Sequence, residues 1–421
     1  MEDKKKYAWL SYIIMGSAQI MKGEYIKGIF LLLVEILTIV FGIPYFSHGL
    51  WGIWTLGVTK FHFNEQGVAV FDHSIFLMLQ GIISILLILI IIAIYVYNVR
   101  DAYKAKEEKK TTLRDKIDRN FHWIFITPGL LSLVFLILLP IVFTILIAFT
   151  DYSAPYHLPP RNLVRWVGLQ NFKEIFGLKI WNKTLSGVFI WTVTWAVLAT
   201  VTSFFVGLMW ALIVNSSGVK IKKLWRTIFI IPYAVPGLIS MLIMRLIFSG
   251  QGPINDFLEH IGLERLGWLT DPYLAKFTLV LINMWLGAPY FMALMTSILT
   301  NIPKDLYESS DIDGATAFQK LRHITIPMVL YSTMPLLISS FAFNFNNFML
   351  IYAVTGGGPV NPNYRYAGHT DLLISWIYKM TLNQQQYHMA SVVTIMIFLI
   401  IAPIVAFSFT RSKSFREEDL I

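Results

Sequence analysis

The chain alternates long apolar stretches with short polar segments along most of its length. Eight stretches are each long enough to cross the hydrocarbon layer as a helix, which takes about 20 apolar residues. Because lipid offers no hydrogen-bond partner to an open strand edge, they predict an all-α membrane protein with about eight transmembrane helices. The predicted spans are 26–46, 76–98, 123–150, 185–214, 227–249, 277–299, 328–352 and 388–409.

The composition supports this pattern. Of 421 residues, 56% are hydrophobic and only 14% are charged, and the mean hydropathy is +0.61, far above what a soluble core requires. The start, Met1 to Lys6, is polar and basic, so we expect no removable signal peptide. Ala8–Gln19 is predicted to be a helix in the membrane interface or packed on the bundle. The chain has no cysteine, which excludes disulfides and cysteine chemistry.

The distribution of charge predicts the orientation. The basic residues lie in short segments and form no continuous patch, so the net charge of +9 indicates topology rather than nucleic-acid binding. With both termini on one side, that side holds more than twice as many Lys and Arg residues as the other. The positive-inside rule then places both termini in the cytoplasm. Segment 151–184 is basic for an outside segment, but moving it inside would disrupt every neighbouring span.

A solvated connector divides the chain. Arg100 to Arg119 contains eight basic and five acidic residues. Residues 1–122 are predicted to form an accessory pair of spans with this connector, and residues 123–421 a six-span domain. The pair has one ionisable residue at mid-span, Glu35, for which a bundle-facing or protonated carboxyl is favoured over a functional role.

The sequence contains no recognisable motif for an energy source that could drive transport. It lacks a phosphate-binding Gly-x-x-x-x-Gly-Lys-Ser/Thr loop, and Gly356–Pro359 has glycines without the lysine. It also lacks a metalloprotease motif and any paired acid and base, so we expect no enzyme and no metal site. Ion-coupled carriers keep ionisable residues inside their spans, whereas Arg245 and His388 lie near span ends. Energy must therefore come from a partner, or transport is passive.

The cytoplasmic segment 300–327 has a specific pattern. It predicts a helix at Lys304–Asp313, a turn at Gly314, a second short helix and a proline at the start of the next span. This pattern resembles the coupling loop of binding-protein-dependent ABC importer permeases, although Ser309-Ser310 stands where the family has Ala-Ala. An ordinary amphipathic loop helix is the alternative. The matching positions are Glu308, Asp313, Gly314, Ala315, Ile324 and Pro327.

The resemblance implies an architecture and partners. Residues 123–421 would form the six-helix core of a type I importer in a bacterial plasma membrane, surrounded by lipid. Its partners would be a second homologous permease, two copies of a cytoplasmic ATPase that binds ATP and Mg, and an extracellular sugar-binding protein. This chain would then hold no cofactor of its own. The residues implied to contact the ATPase are Glu308, Ser309, Ser310, Asp313, Gly314 and Ala315.

Two spans carry polar and aromatic residues at helical spacing. Amides inside a membrane need hydrogen-bond partners, which sugar hydroxyls supply, and aromatic rings suit the apolar faces of a pyranose. Spacing alone leaves open whether these amides bind a sugar or only join neighbouring helices. With offsets i, i+3, i+4 and i+7, the two sets are Asn283, Leu286, Gly287 and Tyr290, and Ser340, Phe343, Asn344 and Asn347.

These two stretches resemble the maltose-contacting segments of the larger permeases in the maltose/maltodextrin branch of the family. All eight positions match, and the likeness extends through Thr355–Leu373. It implies transport of maltose or maltodextrin by alternating access. Enterobacterial relatives carry a large insert between the third and fourth spans, where this chain has only 151–184. Any binding-protein contact made by that insert is therefore absent or made differently.

Three alternatives stay open. In the first alternative, the sugar is another oligosaccharide, raffinose-type or galactosyl, because Asn and Tyr recognise hydroxyls of many sugars. A passive or ion-coupled sugar carrier is the second alternative, and the resemblance to a coupling loop argues against it. A structural or signalling subunit would not need two matched polar faces. Four prolines lie within spans, either as helix kinks that help to shape a substrate cavity or as static bends: Pro232, Pro236, Pro289 and Pro335.

Overall fold

The chain folds into two compact units, Met1–Asn171 and Phe172–Ile421. The predicted functional division at residue 122 stays a prediction, since packing places the third span with the first unit. Residues 104–112 of the charged connector and the acidic tail 417–419, which we expect to be solvated, lie outside the described residues. The structure is a computed structural model, and it describes residues 8–103, 113–157, 162–216 and 218–411.

The described residues of the first unit form a 3₁₀ turn, Ala8–Tyr12, six helices and a β-hairpin. Single π-helical turns at Thr38–Gly42 and Val134–Leu138 join two pairs of these helices end to end. The elements are α1 (Ser17–Met21), α2 (Tyr25–Leu37), α3 (Ile43–Thr55), β1 (His62–Phe63), β2 (Ala69–Val70), α4 (Ser74–Ala102), α5 (Leu113–Leu133) and α6 (Leu139–Ile147).

A short helix, α7 (Gln170–Gly177), crosses the boundary between the units. In the second unit, π-helical turns at Leu321–Thr325 and Lys379–Asn383 extend two of the helices. The helices of the second unit are α8 (Lys179–Asn215), α9 (Lys222–Ala234), α10 (Gly237–Ile247), α11 (Pro253–His260), α12 (Pro272–Asn301), α13 (Lys304–Ile312), α14 (Ala317–Lys320), α15 (Ile326–Phe345), α16 (Phe348–Val354), α17 (Leu373–Tyr378) and α18 (Tyr387–Arg411).

The eight predicted spans all fall on helices, so the protein is an all-α membrane protein. The eighth corresponds to α18, with 25 residues, and the fifth to α9 and α10 together. Within the described residues, six continuous helices are long and apolar enough to cross a membrane: Tyr25–Thr55, Ser74–Ala102, Phe121–Ile147, Lys179–Asn215, Pro272–Asn301 and Ala317–Phe345.

The fifth span, predicted at 227–249, is broken at Pro236, one of the two prolines in it that the sequence offers as a kink or a static bend. α9 and α10 meet at an angle of 92°. Val235 and Pro236 between them have extended ψ angles of 135° and 127°. Pro236 cannot donate a backbone hydrogen bond, and its ring disfavours a helical conformation in Val235. The other three candidate prolines lie inside α9, α12 and α15.

The seventh span is also displaced from its predicted bounds of 328–352. One helical run covers Ala317–Phe345, so the second short helix of the loop is continuous with the span. The run ends at Phe345, and Asn347 caps α16 by accepting a hydrogen bond from the Leu350 N–H at 3.3 Å. Apolar residues flank this break at Phe345 and again from Phe348 onward, so hydrophobicity alone did not locate it.

Buried polar contacts hold the N-terminal segment of the first unit against the end of α4. The fully buried Asn98 side chain accepts a hydrogen bond from the Gly16 N–H at 3.0 Å and donates one to the Ser11 carbonyl at 2.9 Å. Gln19 Nε2 donates to the Asn98 carbonyl at 3.1 Å and to the Asp101 carboxylate at 3.2 Å. The segment therefore packs on its own unit.

The same segment explains the position of Glu35. Its carboxylate accepts a hydrogen bond from the Met15 N–H at 2.9 Å, so the carboxyl faces the bundle as favoured. The predicted single helix at Ala8–Gln19 is instead a 3₁₀ turn followed by α1, because the chain turns between them at Gly16, whose φ is 80°. A left-handed φ of this kind suits glycine.

We expect Asn98→Ala to release the N-terminal segment while the spans stay folded. The substitution leaves the Gly16 N–H and the Ser11 carbonyl without their partner, at a cost of about 1–3 kcal/mol. Hydrogen exchange at the backbone amides of residues 14–20 should then be about tenfold faster or more. Ser47→Ala, at an exposed position, is the control. Unchanged exchange in Asn98→Ala would show that the segment is held by other contacts.

Candidate substrate site and coupling loop

The predicted substrate residues lie in the second unit, where α8 and α12 approach closely. A Cβ atom at Gly207 would lie 2.5 Å from the Phe291 Cβ and 2.8 Å from the Ala288 carbonyl oxygen. At Gly287 it would lie 2.8 Å from the Ser203 hydroxyl oxygen. Small residues are what allow two membrane helices to pack at this distance.

Two buried apolar clusters flank the site along these helices. In α8 and α12 alike, one cluster precedes the polar positions and the other follows them. The Trp195 cluster consists of Trp191, Trp195, Ala199, Phe248, Leu279, Ile282, Leu350, Ile351, Val354 and Leu372, and the Met292 cluster of Phe204, Leu208, Ala211, Phe291, Met292, Met295 and Val329.

Three asparagines occupy the layer between the clusters, together with Thr200 and Ser203; we call these five residues the amide layer. Asn347 Nδ2 donates to Asn283 Oδ1 at 3.4 Å. Asn283 Nδ2 lies 3.4 Å from both the Ala199 carbonyl oxygen and the Ser203 hydroxyl. These distances are longer than the usual 2.9–3.0 Å, so the hydrogen bonds are weak.

Asn344 is held more firmly. Its Nδ2 donates to Thr200 Oγ1 at 3.1 Å and lies 3.5 Å from Ser340 Oγ. Its backbone carbonyl accepts a hydrogen bond from Trp195 Nε1 at 3.0 Å. This carbonyl is one of the last four of α15, and it also accepts a hydrogen bond from the Asn347 N–H at 3.1 Å. The three asparagine side chains are buried, between 5% and 8% exposed.

The other five predicted substrate residues lie outside the amide layer, and they differ in exposure. Leu286, Gly287 and Ser340 are half-buried. Tyr290 and Phe343 are exposed, at 43% and 72%. The structure thus brings the amides together and places the two rings outside the buried layer.

The helical-spacing argument needs one correction at Asn347. This residue lies beyond the end of α15, so it does not share a helical face with Ser340, Phe343 and Asn344. It reaches Asn283 because the chain breaks there. Sequence reasoning also missed Trp195, Thr200 and Ser203 in α8, although buried small and hydroxyl residues recur every three or four positions along that span, a pattern that marks helix contacts.

The coupling loop adopts nearly the predicted form. α13 ends at Ile312, one residue before the expected end, and Gly314 has a φ of 73°. A Cβ atom at Gly314 would meet nothing within 4 Å, so the backbone conformation, not space, favours glycine. Thr316 and Gln319 then form a capping box at the start of α14.

Internal contacts brace the loop and leave one side open. The hydroxyls of Tyr307 and Thr325 lie 2.9 Å apart, and Lys320 Nζ lies 2.6 Å from the Asp311 carboxylate. Ile312 and Phe318 are 87% and 68% exposed. Of the predicted coupling residues, those on the exposed surface are Glu308, Ser309, Asp313 and Gly314, and those half-buried are Ser310 and Ala315.

A buried carboxylate fixes the loop between α16 and α17. Asp371 accepts hydrogen bonds from the Gly368 N–H at 2.6 Å, Ser375 Oγ at 2.8 Å and Lys379 Nζ at 2.5 Å. Burial raises the pKa of Asp371, against the opposing effects of Lys379 and the Gly368 amide. A side chain at Gly357 would overlap this carboxylate. These contacts hold the turn at Gly356–Pro359 against the loop.

Charged groups near this loop do not form a metal site. Burial lowers the pKa of His369, as does the nearby Lys276, while Asp271 raises it. Among the residues that the structure describes, no group of three or more His, Asp or Glu side chains is placed to hold a metal ion.

Comparisons with known proteins identify the class. Residues 203–412 match the family described as binding-protein-dependent transport system inner membrane component. The chain is 39% identical to the galactooligosaccharides transport system permease protein GanP of Bacillus subtilis, over 98% of this chain and 99% of that protein. It is 36% identical to the maltodextrin transport system permease protein MdxF of the same organism, over 100% and 99% of the two chains.

Two further likenesses cover part of the chain. The maltose/maltodextrin permease MalF of Salmonella typhimurium is 39% identical over 59% of this chain and 49% of its own length. A solved bacterial ABC transporter for import of the polysaccharide alginate matches 72% of this chain and 98% of its own, with a TM-score of 0.57 and 22% identity, which supports the fold. The chain belongs to the binding-protein-dependent sugar permeases of ABC importers, a family of multi-pass membrane proteins.

We expect Gly207→Ala to destabilise the second unit by roughly 1–3 kcal/mol, because its Cβ would meet backbone atoms of α12 that cannot move aside. Gly129→Ala in α5 is the matched control, since a Cβ there meets nothing within 4 Å and both changes gain the same helix propensity. The thermal unfolding midpoint in detergent should fall for Gly207→Ala alone. Equal midpoints would mean that the α8–α12 contact is looser than described.

Proposed function

We propose that the chain is the membrane permease of an ATP-driven, binding-protein-dependent importer of short oligosaccharides, working by alternating access. The amide layer carries the proposal. Its side chains are uncharged, and each amide offers a donor and an acceptor, which matches the hydroxyls of a neutral sugar. An ion-coupled carrier would need ionisable groups there instead.

The weak contacts within the layer suit exchange with a substrate. A sugar hydroxyl that replaces the Asn347–Asn283 contact forms hydrogen bonds of ordinary length, so each amide stays paired. Gly287 lets the Ser203 hydroxyl approach α12, since a Cβ atom at Gly287 would lie 2.8 Å from it. Tyr290 and Phe343 then supply ring faces for the apolar side of a pyranose. The substrate residues that we propose are the eight predicted from the sequence.

The first candidate substrate is a maltodextrin. Resemblance at all eight positions supports it, as does likeness to MdxF of Bacillus subtilis and to the maltodextrin permease MalC of Streptococcus pneumoniae, 35% identical over the whole chain. A galactooligosaccharide is the second candidate, because GanP is similar over nearly its full length. Both sugars present hydroxyls that this layer can pair.

We further propose that both termini lie in the cytoplasm and that the loop 300–327 docks on a separate ATPase, which binds ATP and Mg. The complex would contain two copies of that ATPase, a second permease and an extracellular sugar-binding protein. The exposed side chains of Ile312 and Phe318 beside Glu308 support docking, since they lie outside the core of their own unit. A solved alginate transporter is in complex with a pentasaccharide-bound periplasmic protein.

The substrate proposal is tested by uptake of radiolabelled maltotriose into cells that express the whole complex. We expect Asn344→Ala to reduce uptake about tenfold or more, because it removes sugar hydrogen bonds worth about 1–1.5 kcal/mol each. Asn346→Ala is the matched control, since Asn346 is exposed beside the layer. Normal uptake by an assembled Asn344→Ala complex would refute the site. If wild type takes up a galactooligosaccharide but no maltotriose, the first substrate is wrong and the second stands.

The coupling proposal is tested by sugar-stimulated ATP hydrolysis in the purified complex. We expect Glu308→Ala and Ile312→Ser to lower stimulation several-fold without changing the chain's own stability, because both side chains are exposed. Ile261→Ser, which changes another exposed isoleucine after α11, should have no effect. Full stimulation in both loop variants would argue against docking through this surface.

A further inference from the structure

The loop between α3 and α4 forms a hairpin with an aromatic face. β1 and β2 pair antiparallel, with His62 opposite Val70 and Phe63 opposite Ala69. Alternate residues of a strand point to opposite faces, so Phe61, Phe63 and Phe71 share one face. The ring centroid of Phe61 lies 5.4 Å from that of Phe63 and 5.5 Å from that of Phe71.

The hairpin is fastened at its tip and at its base. At the tip, Asn64 Oδ1 accepts hydrogen bonds from the backbone amides of Gln66 at 3.0 Å and Val68 at 2.8 Å. At the base, the Asp72 carboxylate accepts two more, from the amides of Thr59 and Val58, both at 2.8 Å. These two amides hold the pKa of Asp72 below its usual value. The face is therefore presented by a rigid support.

The aromatic face leads directly into the lipid-facing surface of a span. The Phe71 ring lies 6.3 Å from His73, and His73 lies 4.2 Å from Phe76 in the first turn of α4. Phe76 is 65% exposed. The charged residues of α4, Arg100 and Asp101, lie at its opposite end. One carboxylate, Asp72, stands between Phe71 and α4, and the amides of Val58 and Thr59 bind it at the base of the hairpin. The aromatic face and the apolar part of the span therefore remain adjacent.

The exposed surface of the hairpin consists of an apolar face and a polar tip. Phe61 and Phe63 are 41% and 65% exposed, and Trp54 near the end of α3 is 83% exposed. The turn itself carries Asn64, Glu65 and Gln66. An apolar face with a polar tip fits a surface position in the membrane better than deep insertion, because aromatic rings favour the level of the lipid headgroups.

We propose that this hairpin is a membrane-surface anchor. The rings of Phe61, Phe63 and Phe71 lie in the headgroup region of the leaflet at the Ser74 end of α4, and the turn at Asn64–Gln66 stays in water. The partner is the lipid surface rather than another protein, because the face continues the lipid-facing side of α4. The anchor would fix the depth of the α3–α4 pair and is independent of which substrate the chain transports.

The absence of cysteine from the chain allows a direct test. Single variants Phe63→Cys, His62→Cys and Glu65→Cys, each carrying a nitroxide label, are reconstituted as the full complex in phosphatidylcholine–phosphatidylglycerol vesicles. Collision rates with oxygen, which concentrates in lipid, and with a water-soluble nickel chelate are then measured. Phe76→Cys, on the lipid-facing turn, is the reference for lipid exposure.

We expect the label at position 63 to collide several-fold more with oxygen than with the nickel chelate, as at position 76. Labels at position 62, on the opposite face, and at position 65, at the tip, should show the reverse. Nickel access at position 63 equal to that at position 65 would overturn the anchor. Shielding of position 63 from both reagents, or only after a sugar-binding protein is added, would also overturn it and identify a protein-docking surface.

Discussion

A buried amide in a membrane must find a hydrogen-bond partner, and the second unit is arranged around that requirement. Asn283, Asn344 and Asn347 pair with one another or with Thr200 and Ser203, between two apolar clusters. Pairing across the helices requires α8 and α12 to approach closely, which small residues such as Gly207 permit. It also requires the chain to leave the helix after Phe345, so that Asn347 can reach α12. The amides, the close contact and the break thus depend on one another.

The contacts in the amide layer also satisfy its asparagines when no ligand is bound. Loose bonds of about 3.4 Å keep the asparagines satisfied, so the site does not need a bound sugar or a buried charge to stay folded. The segment 300–327 combines a fixed shape with an exposed apolar surface. Its internal hydrogen bonds fix its shape, while Ile312 and Phe318 stay outside the core and are available to a partner.

Much of this architecture follows from the sequence, for reasons that differ between elements. The spans were predictable because lipid requires long apolar helices. The Gly314 turn was predictable because a left-handed φ favours glycine. Pro236 was a candidate for a kink or a static bend, but tertiary packing decides whether a proline bends or interrupts a helix. The break at Asn346 was harder to predict, because it contains no proline and apolar residues resume at Phe348. Thr200 and Ser203 were missed because hydroxyls can satisfy themselves within a helix, so their role emerges only when α8 meets α12 and α15.

The continuity of the helix from Ala317 to Phe345 has a mechanical consequence. At 1.5 Å per residue its 29 residues form a rod about 43 Å long. Phe318 lies near one end and Asn344 at the other, and the helix runs on through the π-helical turn at Leu321–Thr325 and through Pro335. A force applied to the loop would therefore move the rod as a lever. A displacement of a few ångströms at the Phe318 end would reach the amide layer as a tilt of Asn344, without any relay of side chains.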